Sequence, residues 1–152
     1  MKKIIVQDLK PGLVQGVEAS LPGEQPDVYC ESYFNWAPSS LVTNMSSNKI
    51  SGGVLTAWHH TPVFTEVETH VDSEMFFFNS GIALMLFMDI KDGIPDMNSA
   101  QIVRIQPGTQ LIITAGKAHF VPVAESESPV NIIVVSPKMD APRLTLSESL
   151  GV

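Results

Sequence analysis

The sequence has a single cysteine, Cys30, so an intramolecular disulfide is excluded. Disulfide frameworks are typical of small exported domains, and their absence favours a reducing compartment. The apolar stretch near the N-terminus covers only residues 4–6, far fewer than the apolar region of a signal peptide. We therefore expect a cytoplasmic protein.

Long apolar runs and basic clusters are also missing. The longest apolar run, residues 82–88, is too short to cross a bilayer. The 9 Lys and Arg residues face 16 Asp and Glu residues, which gives a net charge of −7. Such a chain repels the phosphates of nucleic acids and lacks the basic patches that bind anionic membranes. We expect neither nucleic acid nor membrane as a partner.

No stretch of a dozen residues has apolar side chains at helical spacing, so we expect less than about a tenth helix. Short runs rich in β-branched and aromatic residues recur instead, divided by 10 Gly and 11 Pro. This pattern predicts one all-β domain in which two antiparallel sheets face each other. Residues 79–81 (Asn-Ser-Gly) predict a tight hairpin turn. Residues 89–101 predict a longer loop.

The segment between Pro26 and Pro38 is unusually aromatic. It carries Tyr29, Tyr33, Phe34 and Trp36. That is more aromatic surface than the interior of one small barrel needs, and unburied aromatic surface is typical of protein contacts. We therefore predict that this segment adds strands that contact a second copy of the chain, giving a homodimer.

Two sets of polar residues and glycines have a regular spacing between residues 62 and 123. The first reads Pro62-x5-Glu68-x-His70-x3-Glu74-x6-Gly81, and the second reads Gly108-x5-Thr114-x-Gly116-x2-His119-x3-Val123. They resemble the two motifs of the cupin superfamily, G-x5-H-x-H-x3,4-E-x6-G and G-x5-P-x-G-x2-H-x3-N. The chain departs from these motifs at Pro62, Glu68, Thr114 and Val123.

The resemblance implies a cupin-type double-stranded β-helix, a jelly-roll barrel, with its core and both motifs in residues 53–136. Residues 1–52 would add strands within the same single domain, residues 1–152. It also implies a metal site made of Glu68, His70, Glu74 and His119. Residues two apart in a strand share a face, so Glu68 and His70 can converge on one ion. Two imidazoles with carboxylates suit Mn, Zn, Fe, Ni or Co, and the extra carboxylate favours Mn or Fe.

A closer resemblance, to the ureidoglycolate lyase family, is carried by Glu68-Thr69-His70 and Ala118-His119-Phe120-Val121-Pro122. It implies a small carboxylate-bearing substrate, ureidoglycolate, that is split into glyoxylate and urea. A metal or cationic group would hold the carboxylate and hydroxyl, and Glu74 or His119 would act as base. Two alternatives stay open because fold does not fix function. They are a non-catalytic cupin that binds a small ligand and another metal-dependent enzyme, such as an isomerase or dioxygenase.

Two further residues are candidates for substrate binding. Lys117 lies in a predicted turn just before His119 and either binds a substrate carboxylate or is a solvated turn residue. His59 stands beside His60 at the predicted end of a strand. It is either a substrate-facing base, a fifth metal ligand, or a polar strand end.

Overall fold

The computed structural model describes residues 1–25 and 27–152, and Pro26 lies outside the described residues. The described residues form fifteen strands and no helix, as the missing helical periodicity predicts. No helix in this part of the chain is long and apolar enough to cross a membrane. In chain order the strands are β1 (Lys2–Lys3), β2 (Gln7–Asp8), β3 (Val17–Ser20), β4 (Tyr29–Cys30), β5 (Asn35–Trp36), β6 (Ile50–Ala57), β7 (Val63–Glu68), β8 (Glu74–Ser80), β9 (Ala83–Lys91), β10 (Ile94–Ile105), β11 (Gln110–Ile113), β12 (Ala118–His119), β13 (Val123–Ala124), β14 (Val130–Pro137) and β15 (Arg143–Gly151).

Two large sheets form the barrel. The eight-stranded sheet has the order β1-β15-β7-β12-β9-β10-β2, with β13 also paired to β9. The five-stranded sheet has the order β3-β11-β8-β14-β6. Neighbouring strands are antiparallel except β1 with β15 and β2 with β10, which are parallel. The all-β fold with facing sheets is therefore confirmed.

The apolar core lies in two layers that share strand β9. Its odd-numbered residues from 83 to 87 belong to the core between the sheets, together with Phe76 and Phe78 of β8. Its even-numbered residues from 84 to 88 belong to a second core on the other face of the large sheet. A strand that is buried on both faces shows no polar alternation, which explains the continuous apolar run in the sequence.

The predicted loop at residues 89–101 is wrong, because this segment is part of the long hairpin of β9 and β10. The strands turn at Asp92-Gly93, where φ is 51° and then 78°. A two-residue turn with positive φ at both positions matches the twist of the flanking strands. The polar residues that suggest a loop lie in an irregular stretch of β10, where the Ser99 hydroxyl accepts a hydrogen bond from the Asp89 amide.

The turn at residues 79–81 is not the predicted hairpin between its two flanking strands. β8 pairs with β11 and β14, whereas β9 pairs with β10, β12 and β13. The turn therefore carries the chain from the small sheet to the large one. Position 81 requires glycine, because φ is 73° there and the Cβ of any other residue would lie 2.5 Å from the Pro129 carbonyl oxygen. Turn residues indicate a chain reversal without determining which strand pairs next.

The aromatic N-terminal segment forms a small hairpin of β4 and β5 outside the two large sheets. Its rings contact one another, with the centroid of Phe34 lying 5.9 Å from that of Tyr29 and 5.2 Å from that of Tyr33. These three side chains and Trp36 are between 44% and 83% exposed. A two-stranded hairpin alone is marginally stable in water, so this surface would gain stability from a partner.

The two adjacent glycines of edge strand β6 provide a test of its pairing with β14. At Gly52 φ is 149° and an added Cβ would overlap the Val134 carbonyl oxygen, whereas the same position at Gly53 is open. Gly52→Ala should lower the free energy of unfolding by about 2 kcal/mol or more. Gly53→Ala, the matched control, should change it by no more than about 0.5 kcal/mol. Urea unfolding measures both, and equal losses would contradict this register.

The contact of the β4–β5 hairpin with a second copy stays a prediction. Light scattering at tens of micromolar protein should give about twice the 16.5 kDa mass of one chain. Replacing Tyr33 and Phe34 together by Ser should give monomers, because the apolar contact is lost. Val42→Ser, at an exposed apolar residue outside the hairpin, should leave the mass unchanged. A monomeric wild-type protein would contradict the prediction.

Candidate metal site

Three of the four predicted metal ligands, Glu68, His70 and His119, have ligand atoms that all lie within 4.8 Å of one another, and Glu74 contacts both imidazoles. Glu68 ends β7 and His119 ends β12, and these two residues are direct neighbours in the large sheet. Glu74 begins β8 of the small sheet. His70 lies on the short connection from β7 to β8. The site is therefore formed where the chain passes from one sheet to the other.

The ligand atoms lie at distances that one ion can bridge. Oε2 of Glu74 lies 3.3 Å from Nε2 of His70 and 3.1 Å from Nε2 of His119. Oε1 of Glu68 lies 3.8 Å from Nε2 of His70 and 3.9 Å from Nε2 of His119. Two atoms bound to one ion at about 2.1 Å are roughly 3.0–3.4 Å apart in octahedral or tetrahedral geometry. The two Glu74 contacts match this range, whereas the two Glu68 contacts are longer.

Three of these atoms are buried without a hydrogen-bond partner among the described residues. They are Nε2 of His70, Nε2 of His119 and Oε2 of Glu74. Their side chains are only 8%, 2% and 9% exposed, respectively. A buried polar atom without a partner costs about 1–3 kcal/mol, and a bound cation removes that cost for all three. The donor set therefore fits a divalent metal ion.

Backbone carbonyls hold both imidazoles in the orientation that a metal requires. Nδ1 of His70 lies 3.1 Å from the carbonyl oxygen of Asp140, and Nδ1 of His119 lies 3.2 Å from that of Lys117. A carbonyl oxygen only accepts, so in each ring Nδ1 carries the hydrogen and donates it. When each imidazole is neutral, its Nε2 directs a lone pair into the site, as metal-binding histidines commonly do.

The charges in the site shift two pKa values in opposite directions. The His70 imidazole lowers the pKa of Glu68 most, and His119 and Arg143 act in the same direction while burial opposes them. The Glu68 carboxylate raises the pKa of His70 most, and Glu74 adds to this against the effect of burial. Without a metal, His70 therefore holds a proton more firmly, and a binding ion has to displace it.

Apolar rings close the inner side of the site. The rings of Phe76 and Phe87 lie 6.0 Å and 6.4 Å from the His119 ring, measured between centroids. A water-poor wall of this kind strengthens the electrostatic interactions beside it. Glu68 is the most exposed of the four ligands, at 17%. The site therefore opens towards solvent on the Glu68 side.

The other two candidate residues have different surroundings. Lys117 is buried, and its Nζ donates to Oδ1 of Asp89 at 2.7 Å beside a separate cavity of about 320 Å³. The alternative of a solvated turn lysine does not match that burial. His59 is exposed, and its Nδ1 contacts the carbonyl oxygen of Ala124 at 2.9 Å. Neither side chain belongs to the group of ligand atoms described above.

Arg143 is a site residue that the sequence patterns did not identify. It begins β15, outside the range covered by the motif resemblance, and it stands directly opposite Glu68 in the neighbouring strand. No spacing rule connects it to the motifs, because 74 intervening residues separate the two positions (143 − 68 − 1). Only the pairing of β15 with β7 brings it to the site.

Comparison with known proteins gives matches among solved structures alone, since no protein-family model and no curated protein matches the sequence. A 4-keto-6-deoxy sugar epimerase from the novobiocin gene cluster of Streptomyces spheroides is 12% identical with a TM-score of 0.55, over 98% of this chain and 77% of the epimerase. The dTDP-4-dehydrorhamnose 3,5-epimerase of Elizabethkingia anophelis is 10% identical with a TM-score of 0.54, over 88% of this chain and 75% of that epimerase.

A third similar structure is the oxalate decarboxylase of Bacillus subtilis, which has Mn(II) centres. It is 17% identical with a TM-score of 0.46, over 64% of this chain and 24% of the decarboxylase, so this chain matches about a quarter of that enzyme's length. At such low sequence identities, a structural similarity shows the fold alone. The chain has two facing sheets, and the two epimerase structures match it with TM-scores above 0.5. It therefore has the cupin-type jelly-roll fold that the resemblance of its motifs implies.

Proposed function

We propose that this chain is a metal-dependent cupin enzyme that acts on a small carboxylate-bearing metabolite. The observation that carries the proposal is the convergence of three buried atoms without hydrogen-bond partners, on His70, Glu74 and His119. Buried polar atoms in proteins nearly always have a partner. A group of unpartnered atoms in one place therefore indicates a site that is completed by a bound ion.

Glu68, His70, Glu74 and His119 would hold the ion. Two imidazoles with two carboxylates suit Mn, Zn, Fe or Ni, and the second carboxylate favours the harder Mn or Fe. When bound, a divalent ion supplies a Lewis acid that polarises an oxygen of the substrate. The aromatic wall of Phe76 and Phe87 keeps water away from the inner side of the site.

The finer proposal is a ureidoglycolate lyase reaction. The bond between the hydroxyl-bearing carbon and the urea nitrogen breaks, the hydroxyl becomes the aldehyde carbonyl of glyoxylate, and its proton is delivered to the leaving urea nitrogen. Glu74 is the first candidate for this proton transfer, through the carboxylate oxygen that does not hold the ion. His119 is the second candidate base, and Glu68, His70 and Glu74 would then hold the ion without it.

Two alternatives differ from the lyase in what happens after the ligand binds. A non-catalytic cupin would use the same ligands to bind a small molecule and would need no base at Glu74. Another metal-dependent enzyme, an isomerase or a dioxygenase, would keep the ligands and convert a different substrate. Metal content tests the site itself, and product analysis separates the three classes.

Removal of either imidazole should abolish metal binding. His70→Ala and His119→Ala should each weaken binding of Mn(II) or Zn(II) by roughly a hundredfold or more, because each removes one ligand. His59→Ala is the matched control, since His59 is likewise a histidine with Nδ1 on a carbonyl oxygen but lies outside the cluster. Elemental analysis after purification without added metal, and again after metal loading, measures the effect.

Circular dichroism should show that both variants keep the β-sheet signal, because neither imidazole belongs to the apolar core. A wild-type protein that takes up no Mn, Zn or Fe would contradict the metal proposal. So would equal metal loss in His59→Ala, because that residue touches none of the ligands.

The lyase proposal predicts equal amounts of urea and glyoxylate from ureidoglycolate and the metal-loaded protein. Glu74→Gln should lower turnover per bound metal by about a hundredfold or more, because the proton carrier is lost. His60→Ala, at an exposed histidine outside the cluster, should keep wild-type turnover. A metal-loaded wild-type protein that releases no urea would exclude the lyase and favour the binding module or another enzyme class.

A further inference from the structure

The chain has two arginines, and their surroundings differ sharply. Arg104 makes four hydrogen bonds to the carboxylates of Asp8 and Glu125, through all three of its nitrogens. Arg143 makes one side-chain hydrogen bond among the described residues, from Nη1 to Oε1 of Glu66 at 2.9 Å. Its side chain is 59% exposed. A guanidinium has five N–H donors, so Arg143 can still bind an anion.

Arg143 lies at the outer end of a row of side chains that crosses the metal site. Phe87 pairs with His119, His119 pairs with Glu68, and Glu68 pairs with Arg143 across adjacent antiparallel strands. Residues directly opposite each other in antiparallel strands project from the same face, with Cβ atoms about 5 Å apart. The row therefore runs from the apolar wall through two metal ligands to an exposed cation.

Two neighbours fix the direction of the guanidinium. The Glu66 carboxylate accepts a hydrogen bond from Nη1 of Arg143. The Phe120 ring lies under the guanidinium, with its centroid 5.3 Å from Cζ of Arg143. Stacking on an aromatic ring restrains the plane of a guanidinium while its edge stays available for hydrogen bonds.

We propose that Arg143 binds the carboxylate of a small hydroxy acid whose other oxygens face the metal site. This inference rests on the proposed function and adds the residue that would bind the carboxylate of its α-hydroxy acid substrate. A planar carboxylate matches the parallel donors of one guanidinium edge. Three glutamates, Glu66, Glu68 and Glu74, line the same region, so they disfavour anions of higher charge such as a phosphate.

The test compares glycolate with glycolamide, its uncharged analogue of nearly the same shape. Both are titrated into Mn(II)-loaded protein, and dissociation constants are measured from the Mn(II)-induced relaxation of the ligand proton NMR signals. Arg143→Gln should weaken glycolate binding about tenfold or more, because a charge-assisted hydrogen bond is lost. Glycolamide binding should change less than about twofold, since the amide bears no charge for Arg143 to pair with.

Two further variants sharpen the result. Lys10→Gln is the control, because Lys10 is an exposed cation outside the row and outside the cavity that His70 lines, and glycolate binding should stay within about twofold. Glu66→Gln should strengthen glycolate binding by about twofold to threefold, because it releases the guanidinium from its ion pair. Opposite effects at Glu66 and Arg143 would not arise from a purely structural role of the pair.

Metal content of each sample separates the possible failures. A wild-type protein without bound Mn(II) overturns the proposed function and this inference with it. With Mn(II) bound, an Arg143→Gln variant that binds glycolate as wild type overturns the role of Arg143 alone. The role of Arg143 is also overturned if the variant loses affinity for glycolate and glycolamide equally, or if the Mn(II)-loaded wild-type protein binds no glycolate.

Discussion

The packing of two imidazoles and two carboxylates beside an apolar core is the constraint on which the candidate site depends. Buried polar atoms without partners are costly, and Nε2 of His70, Nε2 of His119 and Oε2 of Glu74 point at one another without hydrogen bonds. A shared cation would satisfy all of these atoms at once, and the surrounding strands hold them at distances that one ion can bridge.

The two-sheet architecture provides that geometry. The large sheet supplies Glu68 and His119 as direct neighbours, and the small sheet supplies Glu74. Carbonyl oxygens of Asp140 and Lys117 set the imidazole tautomers from outside. The double burial of β9 fixes the position of the large sheet, because its side chains pack into one core on each face. The precision of the site is therefore a property of the core packing behind it.

Polarity changes along the row that crosses the site. Phe87 belongs to the buried core, His119 and Glu68 are the candidate metal ligands at the centre, and Arg143 is exposed. An apolar inner wall and a cationic outer rim would orient a small acid with its carboxylate outward. The aromatic hairpin and the Lys117–Asp89 ion pair lie outside this row and contribute to other surfaces of the molecule.

The sequence by itself determined the all-β class through its strand patterns, and the resemblance of its two motifs to the cupin superfamily implied the barrel type and the four candidate ligands. It assigned the wrong partner to the turn at residues 79–81 and a loop to residues 89–101, because turn residues do not specify which strand pairs next. Only the tertiary structure decided that Lys117 is buried against Asp89 and that Arg143 stands beside Glu68. Contacts between residues far apart in sequence depend on sheet order and register, which local patterns do not contain.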